Sequence, residues 1–261
     1  MIGPIPYIGG KNRLAGEIVS RIPSHTIYTE VFAGAGHVFF RKEPSKVEVL
    51  NDLDHEIVTL YRVLQSHYEE LVRYMRFTIV SRHWFALLRA TDPSVLTDIQ
   101  RAARFFYLQK NAFGGLVVNQ NFHYGVTKPS NFNPARIPEV IAAAHERLSR
   151  AQIESLPYEE ALEKYDRSSA FHFLDPPYWR RKLYKFNFTD ADFVALEERL
   201  RSLKGRFMLS LDDHPNVREI FKRFHIDRKE ICYTAQRQAG RRYGELLISN
   251  FKPAAIPKTA A

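Results

Sequence analysis

The sequence has almost no cysteine and no long apolar run. Its 261 residues contain one cysteine, Cys232, which excludes an intramolecular disulfide and a cysteine-rich zinc site. No stretch approaches the roughly 20 apolar residues of a membrane-spanning helix, so no membrane association is expected. The N-terminal residues lack the basic and then apolar pattern of a secretory signal. A reducing, cytoplasmic location is therefore expected.

Two common kinds of catalytic motif are also missing. Ten histidines are present, but none has the spacing of His-Glu-x-x-His or of a comparable ligand set, so no metal site is predicted. The segment Gly9-Gly10-Lys11-Asn12 lacks the upstream glycine and the serine or threonine of a P-loop, which argues against ATP hydrolysis. His214 lies beside Asp212 and Asp213, but helix capping by Asp213 explains that cluster better than a metal does.

Positive charge is what the sequence has in excess. Lysine and arginine number 38 against 29 aspartates and glutamates, which gives a net charge of +9. The segment from Leu71 to Arg136 holds nine basic and two acidic residues, a net of +7, so most of the excess lies in one part of the chain. This concentration favours a polyanionic partner such as nucleic acid, although a protein that is simply basic is the alternative.

Strand and helix patterns alternate in the first and last parts of the chain. Asp54 is expected to cap a helix with a regular apolar period, and Thr189 to Asp192 resembles a capping box. Strands alternating with helices predict an α/β fold with a parallel sheet. The predicted strands are Ile27–Phe32, Lys46–Leu50, Ala151–Ser155, Ala170–Leu174 and Phe207–Leu211, with His225–Tyr233 and Glu245–Phe251 as a closing pair.

The pattern between residues 65 and 136 differs from the rest of the chain. Helices are predicted around Arg82–Arg89 and Thr97–Lys110, and a polar stretch rich in glycine and asparagine follows from Asn111 to Pro134. Loops of this length are usually functional or disordered. We therefore expect residues 1–64 and 137–252 to form a catalytic domain, residues 65–136 an inserted recognition domain, and residues 253–261 a flexible tail.

The most informative string is Asp175-Pro176-Pro177-Tyr178, which directly follows a buried strand. The two prolines remove backbone donors and stiffen the turn. The Asp175 carboxylate and nearby carbonyl oxygens are then acceptors at the carboxyl edge of a sheet, where open α/β folds bind ligands. Acceptors beside the Tyr178 ring suit a planar base with an exocyclic amino group. A tight turn after a strand is the alternative.

Three further motifs suggest a nucleoside cofactor. In Phe32-Ala-Gly34-Ala-Gly36, glycines after a strand let a ligand approach the backbone. Asp52 lies 18 residues after Gly34, and an acidic residue near this spacing can accept hydrogen bonds from ribose hydroxyls, with helix capping as the alternative. The N-terminal Tyr7-Ile-Gly-Gly-Lys11 offers an aromatic face, a flexible backbone and a cation, or is only a polar loop.

Together these motifs resemble the Dam-type DNA adenine methyltransferases, which use S-adenosylmethionine. The resemblance covers most of the chain, and the ending Gly244-Glu-Leu-Leu-Ile-Ser-Asn250 is similar to the family's last strand. The 139 residues that separate Gly36 from Asp175 resemble the family arrangement in which a recognition domain lies between the cofactor and catalytic motifs. The motifs that occur in the family's order are Tyr7-x-Gly-Gly-Lys11, Phe32-x-Gly-x-Gly36, Asn51-Asp52 and Asp175-Pro-Pro-Tyr178.

The resemblance implies an α/β, Rossmann-like S-adenosylmethionine-dependent methyltransferase sheet with an inserted, mainly helical recognition domain. It implies that Asp175 accepts from the target amino group, that Pro176 adds its carbonyl and that Tyr178 stacks on a flipped adenine. No metal is needed, because the sulfonium of S-adenosyl-L-methionine already supplies the leaving group. The residues that it implies as cofactor contacts are Tyr7, Lys11, Phe32, Gly34, Gly36, Asp52 and Asp175.

Two segments depart from the family pattern. Many members have an acidic residue followed by phenylalanine after the third strand, whereas this chain has Glu154 to Tyr158, so Tyr158 is expected to face the cofactor adenine. The recognition segment resembles that of Dam only loosely, and no recognition sequence is inferred. The run from Arg180 to Lys182 either grips phosphates or is a solvated surface run. The expected DNA contacts are Arg101, Arg104, Lys110, Asn111, Asn119, Arg180, Arg181 and Lys182.

The sequence therefore predicts a site-specific DNA adenine methyltransferase. It would transfer a methyl group from S-adenosylmethionine to the exocyclic amino nitrogen of an adenine flipped out of double-stranded DNA. Two alternatives stay open: an RNA adenine methyltransferase, and a catalytically inactive DNA-binding regulator of the same fold. In a restriction-modification setting, a cognate restriction endonuclease acting on the same site is the further expected partner.

Overall fold

The computed structural model describes residues 3–123, 130–232 and 242–253. Within these residues, seven strands form one sheet and ten α-helices surround it. The strands are β1 (Ile27–Glu30), β2 (Val47–Asn51), β3 (Gln152–Glu154), β4 (Ala170–Leu174), β5 (Arg206–Asp212), β6 (His225–Cys232) and β7 (Arg242–Ser249). The helices are α1 (Ala15–Arg21), α2 (His37–Arg41), α3 (His55–Ser66), α4 (Tyr68–Met75), α5 (Arg82–Ala90), α6 (Asp98–Asn111), α7 (Ile137–Leu148), α8 (Tyr158–Tyr165), α9 (Asp190–Arg201) and α10 (Pro215–Ile220).

The strands lie in the order β3-β2-β1-β4-β5-β7-β6. The first five are parallel, and β7 is antiparallel to both of its neighbours. The order reverses between β1 and β4, which is the switch point where doubly wound sheets bind ligands beyond the carboxyl ends of their strands. The predicted α/β fold with a Rossmann-like sheet is confirmed, including the closing antiparallel pair. None of the described helices is long and apolar enough to cross a membrane.

The central strand β4 is buried along its whole length. Strands covered on both faces have near-continuous apolar sequences, and Ala-Phe-His-Phe-Leu fits this rule except for its histidine. His172 Nδ1 lies 2.7 Å from the Thr29 hydroxyl of β1, so its polar ring has a partner inside the sheet. The prediction that His172 is structural agrees with this contact.

Helix starts follow the capping patterns in two of the three predicted cases. The Asp54 side chain accepts from the backbone N–H of Glu56 at the start of α3. Thr189 and Asp192 form a reciprocal capping box at the start of α9. Both arrangements satisfy N–H groups that the first helical turn leaves without an intrahelical acceptor.

The predicted cap of α10 is wrong by one residue. His214, and not Asp213, occupies the N-cap position, and its side chain accepts from the backbone N–H of Asn216. Asp213 instead pairs with Arg218 and Arg228 at 2.6 and 2.7 Å. Two nearby guanidinium groups therefore take the carboxylate away from the helix end.

The helices of the inserted segment pack directly on the sheet domain. Helix α6 lies against α3, while α4 lies against both α6 and α7. One apolar cluster, called here the first cluster, runs from the sheet through α3 into these helices and includes Phe171, Ile57, Phe106 and Phe85. A second cluster on the other part of the sheet contains residues of α9 and α10. The division into catalytic and recognition domains stays a prediction, and the predicted tail lies outside the described residues beyond residue 253.

Arg101 and Arg104 are directed at the sheet domain, and the DNA-binding face predicted for them stays a prediction. They lie on α6 at i and i+3, but their guanidinium groups are 2.5 and 3.6 Å from the buried Glu56 carboxylate at the start of α3. Arg104 also donates to the Leu88 carbonyl at 2.7 Å. The Glu56 carboxylate lies 45 residues from Arg101 and 48 from Arg104 in the sequence, and it pairs with both cations, which ties α6 to α3.

Replacing Glu56 with alanine should test this assignment. Glu56→Ala leaves two partly buried guanidinium groups without their carboxylate, so the free energy of unfolding should fall by roughly 2–4 kcal/mol. Glu139→Ala is the matched control, because Glu139 pairs with Arg136 at an exposed position, and its loss should be below about 1 kcal/mol. Urea denaturation measures both, and equal small losses would contradict the structural role.

Candidate active site

A cavity of about 320 Å3 opens at the carboxyl edge of the sheet, beyond β1, β2 and β4. It is walled by the N-terminal loop, by the turns after these strands and by residues 184–188, called here the strap. Every residue that the sequence predicted as a cofactor contact lines this cavity. These residues are Tyr7, Lys11, Phe32, Gly34, Gly36, Asp52, Tyr158 and Asp175.

The glycine turn after β1 is shaped by left-handed backbone. Gly34 and Gly36 have φ values of +48° and +62°, which side chains with a Cβ rarely adopt. A Cβ on Gly34 would lie 3.3 Å from the Tyr7 ring, so the turn is also sized for that ring. The hydroxyl of Tyr61, on α3, donates to the Gly34 carbonyl at 2.6 Å and so ties the turn to that helix.

Asp52 joins the turn after β2 to the glycine turn. Its two carboxylate oxygens accept from the backbone N–H groups of Asp54 and Gly34, both at 2.8 Å. Because Asp54 caps α3, helix capping does not explain Asp52. Burial raises the pKa of Asp52 to about 6, while the two backbone N–H groups oppose this shift. A carboxylate has about four lone-pair sites, so two remain for a ligand.

Three aromatic rings form an apolar end of the cavity. Phe32 lies 5.7 Å from Tyr158 and 5.8 Å from Phe188, and the last two rings are 5.7 Å apart. Phe32 follows β1, Tyr158 begins α8 and Phe188 belongs to the strap. Rings with offset or edge contacts at these distances make a surface suited to another planar ring.

Asp175 lies where β4 ends and is held by two side chains. Lys11 Nζ is 2.5 Å and Ser210 Oγ is 3.0 Å from Asp175 Oδ1. Burial raises the pKa of the Asp175 carboxyl, and the Lys11 ammonium acts against this rise. Lys11 thus lines the cavity, as predicted for a cofactor contact, but its ammonium is directed at the acceptor group.

Tyr178 lies behind Asp175 and is 7% exposed. Its hydroxyl accepts from Lys11 Nζ at 2.6 Å and donates to Glu245 on β7. Neither Tyr178 nor Pro176 lines the cavity itself, where Pro177 is found instead. Their predicted catalytic roles stay predictions. Glu245 was not among the predicted site residues, although a lone acidic residue before the apolar run Leu246 to Ile248 was a usable signal.

The strap forms one wall of the cavity, and it was also not predicted from the sequence. The Tyr184 ring stacks on Tyr7 with centroids 6.2 Å apart, and its hydroxyl donates to the Ile8 carbonyl at 3.1 Å. Lys185 Nζ lies 2.7 Å from Asp54, the cap of α3. The strap is therefore tied to two sides of the cavity. The alternation of aromatic and polar residues from Tyr184 to Phe188 was its signal in the sequence.

The basic run before the strap is only partly available for DNA. Arg180 pairs with Asp190 at 2.5 Å, and both side chains are mostly exposed. Arg181 Nε lies 3.7 Å from Asp212, and Lys182 is exposed. A phosphate-binding role for this run stays a prediction.

The loop after α6 packs beside the cavity. The backbone N–H of Ile8 donates to the Gly115 carbonyl at 2.9 Å, which joins this loop to the N-terminal loop. Asn119 is exposed with a φ of +51°, and its predicted DNA contact stays a prediction. Burial lowers the pKa of Lys110 to about 8, and its ammonium lies over the Phe106 ring.

Asn111 is fully buried, which corrects its prediction as a DNA contact. Its amide group donates to the Tyr107 carbonyl at 3.0 Å and accepts from the Ser130 hydroxyl at 2.7 Å. Both polar ends of the side chain are thus used inside the protein. Asn111 ties the end of α6 to the segment around residue 130.

Comparison with protein families and curated proteins gives consistent results. The family model described as D12 class N6 adenine-specific DNA methyltransferase matches residues 7–235. The chain is 27% identical to the Type II methyltransferase M1.LlaDCHI of Lactococcus lactis subsp. cremoris, with 94% of each chain covered. It is 26% identical to the Type II methyltransferase M.CviBI of Paramecium bursaria Chlorella virus NC1A, over 91% of this chain and 93% of that protein. It is 25% identical to a DNA adenine methylase of Salmonella typhi, over 67% and 64%.

Two solved structures show more distant similarity. A class I S-adenosylmethionine-dependent methyltransferase from Listeria monocytogenes matches with a TM-score of 0.41 and 9% identity, over 97% of this chain and 64% of that one. An S-adenosylmethionine-dependent O-methyltransferase from Thermotoga maritima matches with a TM-score of 0.37 and 8% identity, over 94% and 66%. The chain thus spans slightly less than two thirds of the length of each.

The close approach of the strap to Gly9 gives a testable prediction. Gly9 has a φ of +72°, and a Cβ there would overlap the Tyr184 hydroxyl. Gly114 has a similar φ of +65°, and a Cβ there would meet no atom within 4 Å. Gly114→Ala should therefore lower the free energy of unfolding only by the cost of a left-handed backbone at alanine, about 1–2 kcal/mol. Gly9→Ala should lower the free energy of unfolding by about 1 kcal/mol more, because the hydrogen bond from Tyr184 is displaced. Equal losses in urea denaturation would contradict this contact.

Proposed function

The chain belongs to the D12 class of N6 adenine-specific DNA methyltransferases, and from this premise we propose how its cavity serves the reaction. The family makes the protein an enzyme that methylates adenine in DNA. We propose that the methyl donor is S-adenosylmethionine and that the cavity beside Asp175 holds it. One observation supports this most: eight residues from separate stretches of the chain line the same cavity.

The residues around the cavity fit the parts of this cofactor. The apolar rings of Phe32, Tyr158 and Phe188 suit its adenine, and the remaining acceptor sites of Asp52 suit its ribose hydroxyls. The glycine turn leaves room for its methionine part near the backbone. A volume of about 320 Å3 lies within the range of small-ligand sites.

Asp175 is proposed as the acceptor for the target amino group. S-adenosylmethionine, when bound, supplies a methyl group on a sulfonium that departs as a neutral thioether. The lone pair of the adenine amino nitrogen is delocalised into the ring, so hydrogen bonds from its hydrogens to Asp175 and the Pro176 carbonyl favour a tetrahedral, attacking nitrogen. Among the described residues, both side-chain bonds to Asp175 go to Oδ1, which leaves Oδ2 for the substrate.

The two alternatives from the sequence receive less support. The family acts on DNA, which favours DNA over RNA as the substrate. The complete set of contacts around Asp175 and Asp52 favours an active enzyme over an inactive regulator. Two relatives are named type II methyltransferases, and we propose a short recognition site with a cognate restriction endonuclease as partner. The cytoplasmic location stays a prediction.

We propose that the C-terminal end of α4 and the turn into α5 hold DNA, because the exposed Glu69 and Glu70 lie at the opposite end of α4. With Arg101 and Arg104 turned inward, the exposed cations of this surface are Arg73, Arg76 and Arg82. Exposed aromatic side chains lie among them, and Phe77 is 85% exposed with the Arg76 guanidinium over its ring. Arginines interleaved with rings suit nucleic acid.

The position of this surface supports its role. The Tyr107 hydroxyl of α6 bonds to the backbone of Ile79 and Ser81, in the turn before α5. Four residues after Tyr107, α6 ends at Asn111 and leads into the loop that packs on the N-terminal loop. The basic and aromatic surface therefore lies at the end of α6 that is nearer to the cavity.

Replacement of Asp175 is the principal test of the proposed reaction. Asp175→Ala should lower single-turnover methyl transfer at least about 10²-fold, because it removes an acceptor that acts mainly in the transition state. Mass spectrometry of N6-methyladenine in incubated DNA measures the rate. DNA affinity should change little, and the rates are compared at saturating S-adenosylmethionine, because Asp175 lines the cofactor cavity and holds Lys11. Retention of a tenth of the wild-type rate would reject the assignment.

Asp52→Ala is the contrasting variant. It should weaken S-adenosylmethionine binding by roughly 1–3 kcal/mol, the usual loss of a hydrogen bond to a charged group. Since the pKa of Asp52 is about 6, the affinity of the wild-type protein should also fall as the pH drops below about 6. Unchanged cofactor affinity in calorimetry would show that Asp52 only holds the glycine turn.

The DNA surface is tested by neutralising two of its arginines. Arg73→Gln with Arg76→Gln should lower the slope of log affinity against log salt by up to about two units. Each phosphate contact releases a counterion on binding, and the double variant would lose up to two such contacts. Cofactor affinity should be unchanged. Arg201→Gln with Lys222→Gln is the matched control, because these exposed cations lie on or beside helices of the second cluster. Equal slopes in both double variants would contradict the surface.

A further inference from the structure

Glu245 is a buried carboxyl group that the proposed reaction does not yet use. It lies on β7, opposite Asp212 of β5 in the backbone register of the sheet, and its side chain is 3% exposed. A buried carboxylate is unfavourable unless charged or hydrogen-bonding groups compensate it. The groups that compensate Glu245 all belong to the neighbourhood of Asp175.

The hydrogen bonds around Glu245 have a defined direction. Lys11 Nζ donates to the Gly9 carbonyl at 2.9 Å, to Asp175 Oδ1 at 2.5 Å and to Tyr178 Oη at 2.6 Å. Because the Tyr178 oxygen accepts from Lys11, its own hydrogen is free to be donated onward, and it goes to Glu245 Oε1. Glu245 therefore fixes the tyrosine hydroxyl, which fixes the ammonium that holds Asp175.

Charge points to the same connection. Lys11 Nζ also lies 3.3 Å from Glu245, so one ammonium lies between two carboxyl groups. Burial raises the pKa of both carboxyls, and Lys11 opposes the rise in each. Glu30, buried and with its pKa raised to about 8, is the further acidic group facing Asp175. Two carboxyl groups that share one ammonium titrate as a coupled unit.

We propose that Glu245 is a positioning residue for methyl transfer, acting through the Tyr178 hydroxyl and Lys11 to keep the Asp175 carboxylate directed at the target amino group. This inference rests on the proposed function and adds to it a residue of the last strand. Asp175 has one oxygen held by Lys11 and Ser210 and one left for the substrate. The Asp175 carboxylate would no longer be directed at the target amino group if the Lys11 ammonium shifted.

Glu245→Gln should separate positioning from binding. The amide keeps the size of the side chain but removes the charge that holds Lys11 and Tyr178. The single-turnover rate should fall roughly 10- to 100-fold, as expected for a small misplacement of a reacting group. The KM for DNA and the Kd for S-adenosylmethionine should stay within about twofold, because neither binding surface includes Glu245. A rate within twofold of wild type would overturn the proposal, as would a loss confined to KM or Kd.

A double-mutant cycle identifies the route of the effect. Tyr178→Phe keeps the ring and removes only the hydroxyl link between Lys11 and Glu245. If Glu245 acts through this hydroxyl, the rate of the double variant should lie within about twofold of the rate of the slower single variant. Multiplying losses would overturn the route through Tyr178. If Glu245→Gln does not fold, Tyr178→Phe alone decides: a lower rate with unchanged KM supports the link, and a wild-type rate overturns it.

Two controls keep this result separate from the proposed function. Glu197→Gln alters another buried glutamate, which pairs with Arg201 on α9, and it should keep the wild-type rate. Wild-type protein must itself methylate adenine in DNA. Absence of transfer by the wild type would contradict the proposed function and, with it, this inference. An active wild type with an equally active Glu245→Gln would overturn the role of Glu245 alone.

Discussion

A buried ion pair between Lys11 and Asp175 joins the first loop of the chain to the end of the central strand. The two atoms are 2.5 Å apart, and loss of either partner would remove the shortest ionic contact of a buried group. The loop that carries Lys11 also carries Tyr7, whose ring lies against the glycine turn and the strap. The cavity therefore keeps its shape because the N-terminal loop is anchored to the Asp175 carboxylate at the end of β4.

Local patterns were enough to predict most of the sheet and the residues around the cavity. Parallel strands bring their carboxyl ends to one edge, so residues just after β1, β2 and β4 must meet wherever they lie in the sequence. Asp52 and Asp175 could be placed for this reason. Arg101 could not, because its partner Glu56 lies 45 residues away on another helix, and only helix packing brings them together. The link from Glu245 to Tyr178 was missed for the same physical reason, since 67 residues separate the two.

Net charge was a useful guide to the partner and a poor guide to individual contacts. The basic segment of the sequence contains cations of two kinds. Some, such as Arg73 and Arg76, are exposed among aromatic side chains, while Arg104 is mostly buried and bonds to protein groups. Long cationic side chains can neutralise internal carboxylates as readily as phosphates. A count along the sequence does not separate the two uses, whereas the exposure of each guanidinium group does.

The shared apolar cluster of the sheet and the inserted helices limits which parts of this chain can be removed without loss of the fold. Helix α6 buries Phe105 and Phe106 in the same cluster as α3 and the sheet, and Glu56 is bonded across their interface. The segment between residues 65 and 136 is therefore not an exchangeable cassette, because its removal would uncover the core that supports the cavity. Phe113 and Asn119 are exposed and contribute little to that core, so the fold should tolerate their replacement far better than removal of the inserted helices.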